Sequence, residues 1–363
     1  MRHRQTRQAL AALLLSTVAM GCYTVHEGRS DMTLKDRFRE DFLLGTCLPT
    51  RLMENDDATR ALVVRQFNAA TPENALKWGP VHPRPDQYHF QHSDAFVEFA
   101  EANDMAFFGH TLVWHQQTPD WVFEDEAGEP LDREALLTRL REHIHTVVGR
   151  YRGQIQGWDV VNECVHRGPH GVLRDTPWLR IIGDDYVAKA FEYTREIDPD
   201  CELYYNDYRL CHWRKRKRAQ ALITDLQARG CRVDAVGMQL HIGPHFPRMR
   251  QIEKSIKAFA KQGLRVNITE LDMSVYSWLD RRNRYPDAAS PRVLRRQAKR
   301  YAKLFHLLEK HSDKIDRVSF WGASDAYSWK NNFPVQDRPD HPLLFDRQAQ
   351  PKPAYHAVVS NRN

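Results

Sequence analysis

Downstream of Asp31, eight short apolar runs alternate with longer stretches of helical periodicity, and polar and aromatic residues collect at the C-terminal ends of the runs. Strand followed by helix, eight times over, predicts one (β/α)8 TIM barrel, with the strand ends meeting around a single pit at its C-terminal face. A doubly wound open sheet shares the alternation, but no glycine-rich phosphate loop follows the first run. No Pro, Ser or Thr linker, low-complexity segment or repeat interrupts the chain, so residues 31–359 are read as one catalytic-size domain.

The first run is "FLLGTCL" from Phe42. "FNAATPEN" from Phe67 ends on Glu73 and Asn74, and "MAFFGHTLVW" from Met105 brings His110 and Trp114. "IQGWDVVNE" from Ile155 ends on Asn162 and Glu163, and "CELYYNDY" from Cys201 on Asn206 and Tyr208. "VDAVGMQLHI" from Val233 carries Gln239 and His241, "RVNITELDM" from Arg265 carries Glu270, and "RVSFWGASD" from Arg317 carries Trp321. Amphipathic stretches such as "LLTRLREHIHTVVGRY" and "QIEKSIKAFAKQG" lie between them. Residues placed at random on a surface would not be confined to run ends in this way.

Two of the runs finish in glutamate, Glu163 and Glu270. Carboxylates facing each other across a barrel mouth suit glycosidic-bond hydrolysis, where one donates a proton to the leaving oxygen and the other attacks the anomeric carbon or activates water. A neighbouring anion and partial burial keep the donor protonated near neutral pH. One such Glu could equally pair with an Arg at the rim; two, each beside hydrogen-bonding residues, favour catalysis. Trp78, Trp114, Trp321 and Trp329 fall at or just after run ends, where a flat face can stack on a pyranose. Core packing accounts for any one of them, and the group of four favours sugar binding.

The apolar run Ala9–Met20 follows Arg2, Arg4 and Arg7 and ends in small residues, the layout of a secretory signal over residues 1–21. Cys22 after Gly21 resembles a lipoprotein cleavage box with Ala19 where Leu is usual, so acylation of Cys22 and ordinary cleavage nearby both stay open. Export is expected, to the periplasm, the outside or a membrane-anchored state. The formal charge of +6 falls to about +3 without residues 1–21, too little to argue for nucleic acid. The run "WRKRKR" from Trp213 precedes a helical pattern and is read as a solvated helix face. The cysteines show no CxxC pairing, which argues against zinc, and a disulfide among Cys201, Cys211 and Cys231 is left open. His143 and His145 are two apart in a helical pattern and do not share a face, so they are not a ligand pair. No cofactor or metal is expected. His110, His115 and His241 are assigned instead to hydrogen bonds with sugar hydroxyls or a carboxylate.

Residues 34–357 resemble glycoside hydrolase family 10 endo-β-1,4-xylanases, on "PENALKW", "GHTLVWHQQTPDW", "WDVVNE", "YYNDY", "VGMQLH", "ITELD", "FWGASDAYSW", and "PLLFD" leading to "QPKPAY". The resemblance implies that Glu163 is the general acid/base, Asn162 binds the sugar 2-hydroxyl, and Glu270 is the nucleophile. It implies that His241 bonds Glu270 and is held by Asp272, with Gln239 beside the acid/base. Glu73, Asn74 and Lys77, with His110, Trp114 and Gln117, would hold sugars on the non-reducing side of the cut. Trp321 and Trp329 would close the space of a hydroxymethyl group, favouring xylose, and Tyr208 would lie on the leaving-group side. Cys164, Leu240 and "GTC" on the first run depart from the family pattern, as does the loop "NDYRLCHWRKRKR". The implied activity is retaining endo-hydrolysis of xylan by a monomer. A related glycanase preferring mixed-linkage glucan is the alternative, and a non-catalytic xylan-binding protein would be expected to have lost a Glu.

Overall fold

A computed structural model describes residues 32–360 apart from 167, 169 and 170; the expected signal segment and Cys22 lie outside the described residues. The strands are β1 (Leu43–Leu48), β2 (Ala69–Pro72), β3 (Ala106–Val113), β4 (Gly157–Asn162), β5 (Glu202–Asp207), β6 (Ala235–Met238), β7 (Arg265–Met273) and β8 (Arg317–Phe320). Neighbours pair in parallel, Ala235 of β6 opposite Arg265 of β7, and β8 returns to β1 with Arg317 opposite Leu43, closing the ring. The (β/α)8 barrel read from the alternation is therefore the fold. A two-residue strand, His241–Ile242, lies past β6 and pairs with the outer end of β7, His241 opposite Asp272.

Helices cover the outside of the ring, so these strands must be apolar on both faces, and their residues are almost all buried. The helix Arg133–Arg150 begins at Asp132, whose carboxylate accepts from the Ala135 amide at 2.8 Å; such a cap contributes about 1 kcal/mol. Leu136, Leu140, Ile144 and Val147 then follow the helical repeat into the core. The helix Pro291–Glu309 buries Tyr301, Leu304, Phe305 and Leu308, with Phe305 stacked on Phe320 of β8 at 5.9 Å.

Three ladders lose their register near their C-terminal ends: β3–β4 between His110 and Val113, β4–β5 between Asp159 and Val161, and β7–β8 between Ile268 and Leu271. Bulges of this kind re-aim side chains and are common beside active sites. Gly237 on β6 serves the same region by being small, since a Cβ there would stand 2.3 Å from Oδ1 of Asn206.

Two readings of the sequence need correction. The "WRKRKR" run opens the helix Trp213–Ala228, but Lys215 is not solvated: it is buried, and its ammonium pairs with Asp207 at the end of β5. The cause is that the first turn of this helix sits over the strand end, where a fully buried carboxylate needs a cation. Trp78 is 2% exposed and stacks on the His143 ring at 3.6 Å, so it is core and not a sugar platform. Cys201, Cys211 and Cys231 are all free thiols. Among the described residues, no group of His, Cys, Asp and Glu could hold a metal ion, and no helix is long and apolar enough to cross a membrane.

Candidate active site

Glu270 emerges from β7 into a buried hydrogen-bond network. Its Oε2 lies 2.9 Å from Nε2 of His241, and its Oε1 accepts from Nδ2 of Asn206 at 2.8 Å. Asn206 is aligned by the Thr269 hydroxyl, which donates to its Oδ1 at 2.7 Å. The other ring nitrogen of His241 stands 2.7 Å from Oδ2 of Asp272, which also accepts from the Trp329 indole at 2.8 Å. Burial opposes a charge on His241, but the two carboxylates outweigh it and lift the imidazole to about 9. At neutral pH it is an imidazolium donating to both. Burial would raise Glu270 in turn, yet the His241 hydrogen bond and charge hold it below the ordinary carboxylate range.

Glu163 sits in a contrasting environment. It follows β4 directly, with a left-handed backbone at φ +58°, a conformation that costs a side-chain-bearing residue about 1–3 kcal/mol and is often kept at functional sites. Nε2 of Gln239 donates to its Oε1 at 3.1 Å and to Oδ1 of Asn162 at 3.2 Å. Arg174 Nε donates to the Glu163 carbonyl at 3.1 Å rather than to its carboxylate. Burial, then the Asp207 charge, raise the Glu163 carboxyl; the Gln239 hydrogen bond and Lys215 only partly offset them, and Glu270 raises it further. Two glutamates on one rim are thus pushed in opposite directions, one toward the acid and one toward the anion.

Around this pair, His110 Nδ1 stands 2.8 Å from Oδ2 of Asp159, and its ring meets Trp321 edge-on at 5.2 Å. Lys77 Nζ donates to Oδ1 of Asn74 at 2.9 Å and lies 4.9 Å from the centre of the half-buried Trp114 ring. Glu73 is raised by burial and Lys77 lowered by it, each partly offset by the other. Gln117 is exposed and reaches Asn74 at 3.5 Å. Trp329 meets the His241 ring at 4.8 Å, while Trp321 is buried. The Tyr208 hydroxyl accepts from Arg174 at 3.1 Å, and Lys215 lies 3.4 Å above its ring.

The sequence reading missed Lys215, Asp207, Arg174 and Asp159 as members of this network. For Asp159 a signal existed, a charged residue inside an otherwise apolar strand, and for Asp207 a weaker one, a second acidic strand end beside Asn206. Lys215 and Arg174 had none, since the first looks like one more cation on a solvated helix and the second like an ordinary loop arginine.

The family model described as "Glycosyl hydrolase family 10" matches residues 33–361. An endo-1,4-beta-xylanase B of Paenibacillus barcinonensis is 38% identical over 327 residues, covering 90% of this chain and 97% of that protein. A thermostable celloxylanase of Thermoclostridium stercorarium is 39% identical over 365 residues, covering 95% and 93%. The crystal structure of an endo-1,4-beta-xylanase from Caldicellulosiruptor owensensis superposes with a TM-score of 0.86 at 39% identity, covering 90% of this chain and 99% of that one.

Proposed function

The chain belongs to glycosyl hydrolase family 10, and from that premise we propose that it is a retaining endo-1,4-β-xylanase. Glu270 attacks the anomeric carbon as Glu163 gives its proton to the glycosidic oxygen, so the C–O bond breaks without releasing a bare alkoxide. Glu163, now a carboxylate, takes a proton from water, whose oxygen displaces Glu270 from the glycosyl-enzyme. Two inversions restore the β configuration.

The observation that supports this best is the opposite treatment of the two carboxyls. His241 and Asn206 hold Glu270 toward the anion, whereas burial and the Asp207 charge push Glu163 toward the acid. Asn162, aligned by Gln239, is assigned to the 2-hydroxyl of the attacked sugar. Glu73, Asn74, Lys77, His110, Trp114 and Gln117 are assigned to sugars on the non-reducing side, and Tyr208 to the leaving-group side. Trp321 and Trp329 are assigned to excluding the hydroxymethyl group of glucose.

Proton NMR of the first product from xylan tests the scheme. A β-anomer is expected, with a carboxyl separation of about 5–5.5 Å; an initial α-anomer means inversion and removes these roles. Because one relative is named a celloxylanase, a second reading with broader β-1,4-glucan activity is kept. Initial rates on xylo- and cello-oligosaccharides of equal length separate the two.

A further inference from the structure

A cavity of about 230 Å³ opens at the rim behind β7. Its walls come from Pro244 and His245, from the loop that leaves β7 at Met273, and from the helix Pro291–Glu309. That volume is below the roughly 300–1,000 Å³ of sites for drug-sized molecules, and suits one sugar unit rather than a chain.

The charge of the cavity is unbalanced. Arg284, Arg296, Arg300 and His245 line it against one carboxylate, Asp280. Asp280 is already engaged by Arg284 at 2.6 Å and Arg282 at 3.3 Å. Arg296 is exposed and has no ion pair among the described residues. Arg300 is half-buried and its guanidinium donates only to backbone carbonyls, from Nε to Gly243 at 2.9 Å and from Nη2 to Pro247 at 2.5 Å. Burial pushes its pKa down with no carboxylate opposing the shift. A desolvated guanidinium without an anion is a costly arrangement that a carboxylate ligand would relieve, with the planar fork suited to hold it.

The cavity also adjoins the cleft. Met273 and Ser274 follow Asp272 directly, and the Ser274 amide donates to Ile242 at 3.0 Å, beside His241. An aromatic ridge leads outward from His241: Trp329 at 4.8 Å, then Phe333 stacked on it at 4.9 Å, then Trp278 at 5.7 Å from Phe333. Trp278, 58% exposed, belongs to the same loop as Ser277 and Asp280 of the cavity wall. A neutral main chain lying along this ridge would bring nothing anionic to the arginines; an acidic side branch would.

We propose that this cavity binds the carboxylate of a uronic-acid branch carried by the glycan substrate, an assignment that rests on the xylanase reading above.

The test compares kcat/KM for a uronate-branched xylo-oligosaccharide with that for the same molecule after reduction of its carboxyl to an alcohol. The native enzyme should prefer the acidic form by about tenfold, the size of one charge-assisted hydrogen bond. Arg296→Glu, at an exposed position, should bring the ratio to one or below, and Arg300→Lys should reduce it while keeping the charge. A ratio near one in the native enzyme, or a ratio unmoved by Arg296→Glu, overturns the proposal. Inorganic phosphate is the control for a site open to any small anion: protection by phosphate without a preference for the uronate also overturns it. If neither oligosaccharide is cleaved, the xylanase reading has failed and the branch site falls with it; cleavage of both without discrimination sinks the branch site alone.

Discussion

Nε2 of His241 stands 2.9 Å from Oε2 of Glu270 while its Nδ1 stands 2.7 Å from Oδ2 of Asp272, so one ring separates two buried carboxylates. The ring is worth stability only while charged. Its folded pKa of about 9 lies above the unfolded value near 6.5, so its contribution is complete below about pH 6.5 and is lost as pH rises through 9. Glu270 and Asp272, both held low, behave oppositely: what they contribute is present above the ordinary carboxylate range and lost as pH falls through their folded values. His241→Gln should therefore destabilise the fold by roughly 3 kcal/mol at pH 6, with the deficit shrinking toward pH 9.5. Denaturant unfolding at the two pH values reads this, and an equal deficit at both would mean His241 is not charged in the fold.

The pH dependence of turnover should be governed by Asp207 from behind Glu163. Asp207 is fully buried, accepts from the Tyr208 amide at 2.8 Å, and pairs with Lys215 and the Tyr205 hydroxyl. Its charge is the largest after burial in raising Glu163, and Lys215 acts the other way. On the proposed mechanism Glu163 must enter the reaction protonated, so its ionisation should set the alkaline limb of kcat/KM. Asp207→Asn removes the raising charge and leaves Lys215 unopposed; the limb should move to lower pH. Lys215→Met alone should move it up but strand a buried carboxylate, at about 3–5 kcal/mol. The double variant restores neutrality, and its limb should fall below the native one. An alkaline limb that does not move in Asp207→Asn would show that burial alone tunes Glu163.

How much of this could be read in advance depended on whether a residue's environment was set by its own strand. Glu163 and Glu270 stood out because each ended an apolar run, and the barrel follows from eight such runs. Lys215 did not, because its partner lies eight positions earlier on a different element, and a helix whose first turn reads Arg-Lys-Arg looks solvated until the strand end beneath it is known. Trp78 misled for a related reason. It follows β2 as a sugar platform would, but His143 of a covering helix takes its face, and His82, 3.1 Å from His143 through paired Nδ1 atoms, continues the stack. Periodicity assigns the buried stripe of each helix; it does not say which neighbour the stripe meets.

Specificity should divide unequally between the two tryptophans. Trp321 touches His110 and His241 only edge-on, at 5.2 and 6.4 Å, and makes no hydrogen bond to the catalytic network. Trp321→Ala should therefore raise the activity ratio of cellobiosides to xylobiosides by opening space, the gain coming from relief of exclusion. Trp329 donates its indole hydrogen to Asp272, so Trp329→Ala should lower kcat on both substrates as well as shift the ratio. A Trp321 variant with an unchanged ratio would remove the exclusion account.

The division of labour between the glutamates gives the sharpest test. In the proposed scheme Glu270 forms the covalent bond, so Glu270→Ala should lack turnover on every substrate, however good its leaving group. In the same scheme Glu163 supplies a proton, which a sugar leaving group needs and an activated phenolate does not. Glu163→Ala should therefore lose about 10²–10⁴-fold on xylan and far less in forming the glycosyl-enzyme from a nitrophenyl xylobioside. Its next step should then be slow, because no base remains to activate water, and intermediate should accumulate. Azide needs no base, and should restore turnover of that substrate by attacking the anomeric carbon held by Glu270. Since Glu270 has already inverted the centre once, the product must be the β-glycosyl azide. An α-azide would mean that azide had taken the place of Glu270 itself, and would exchange the roles of the two residues.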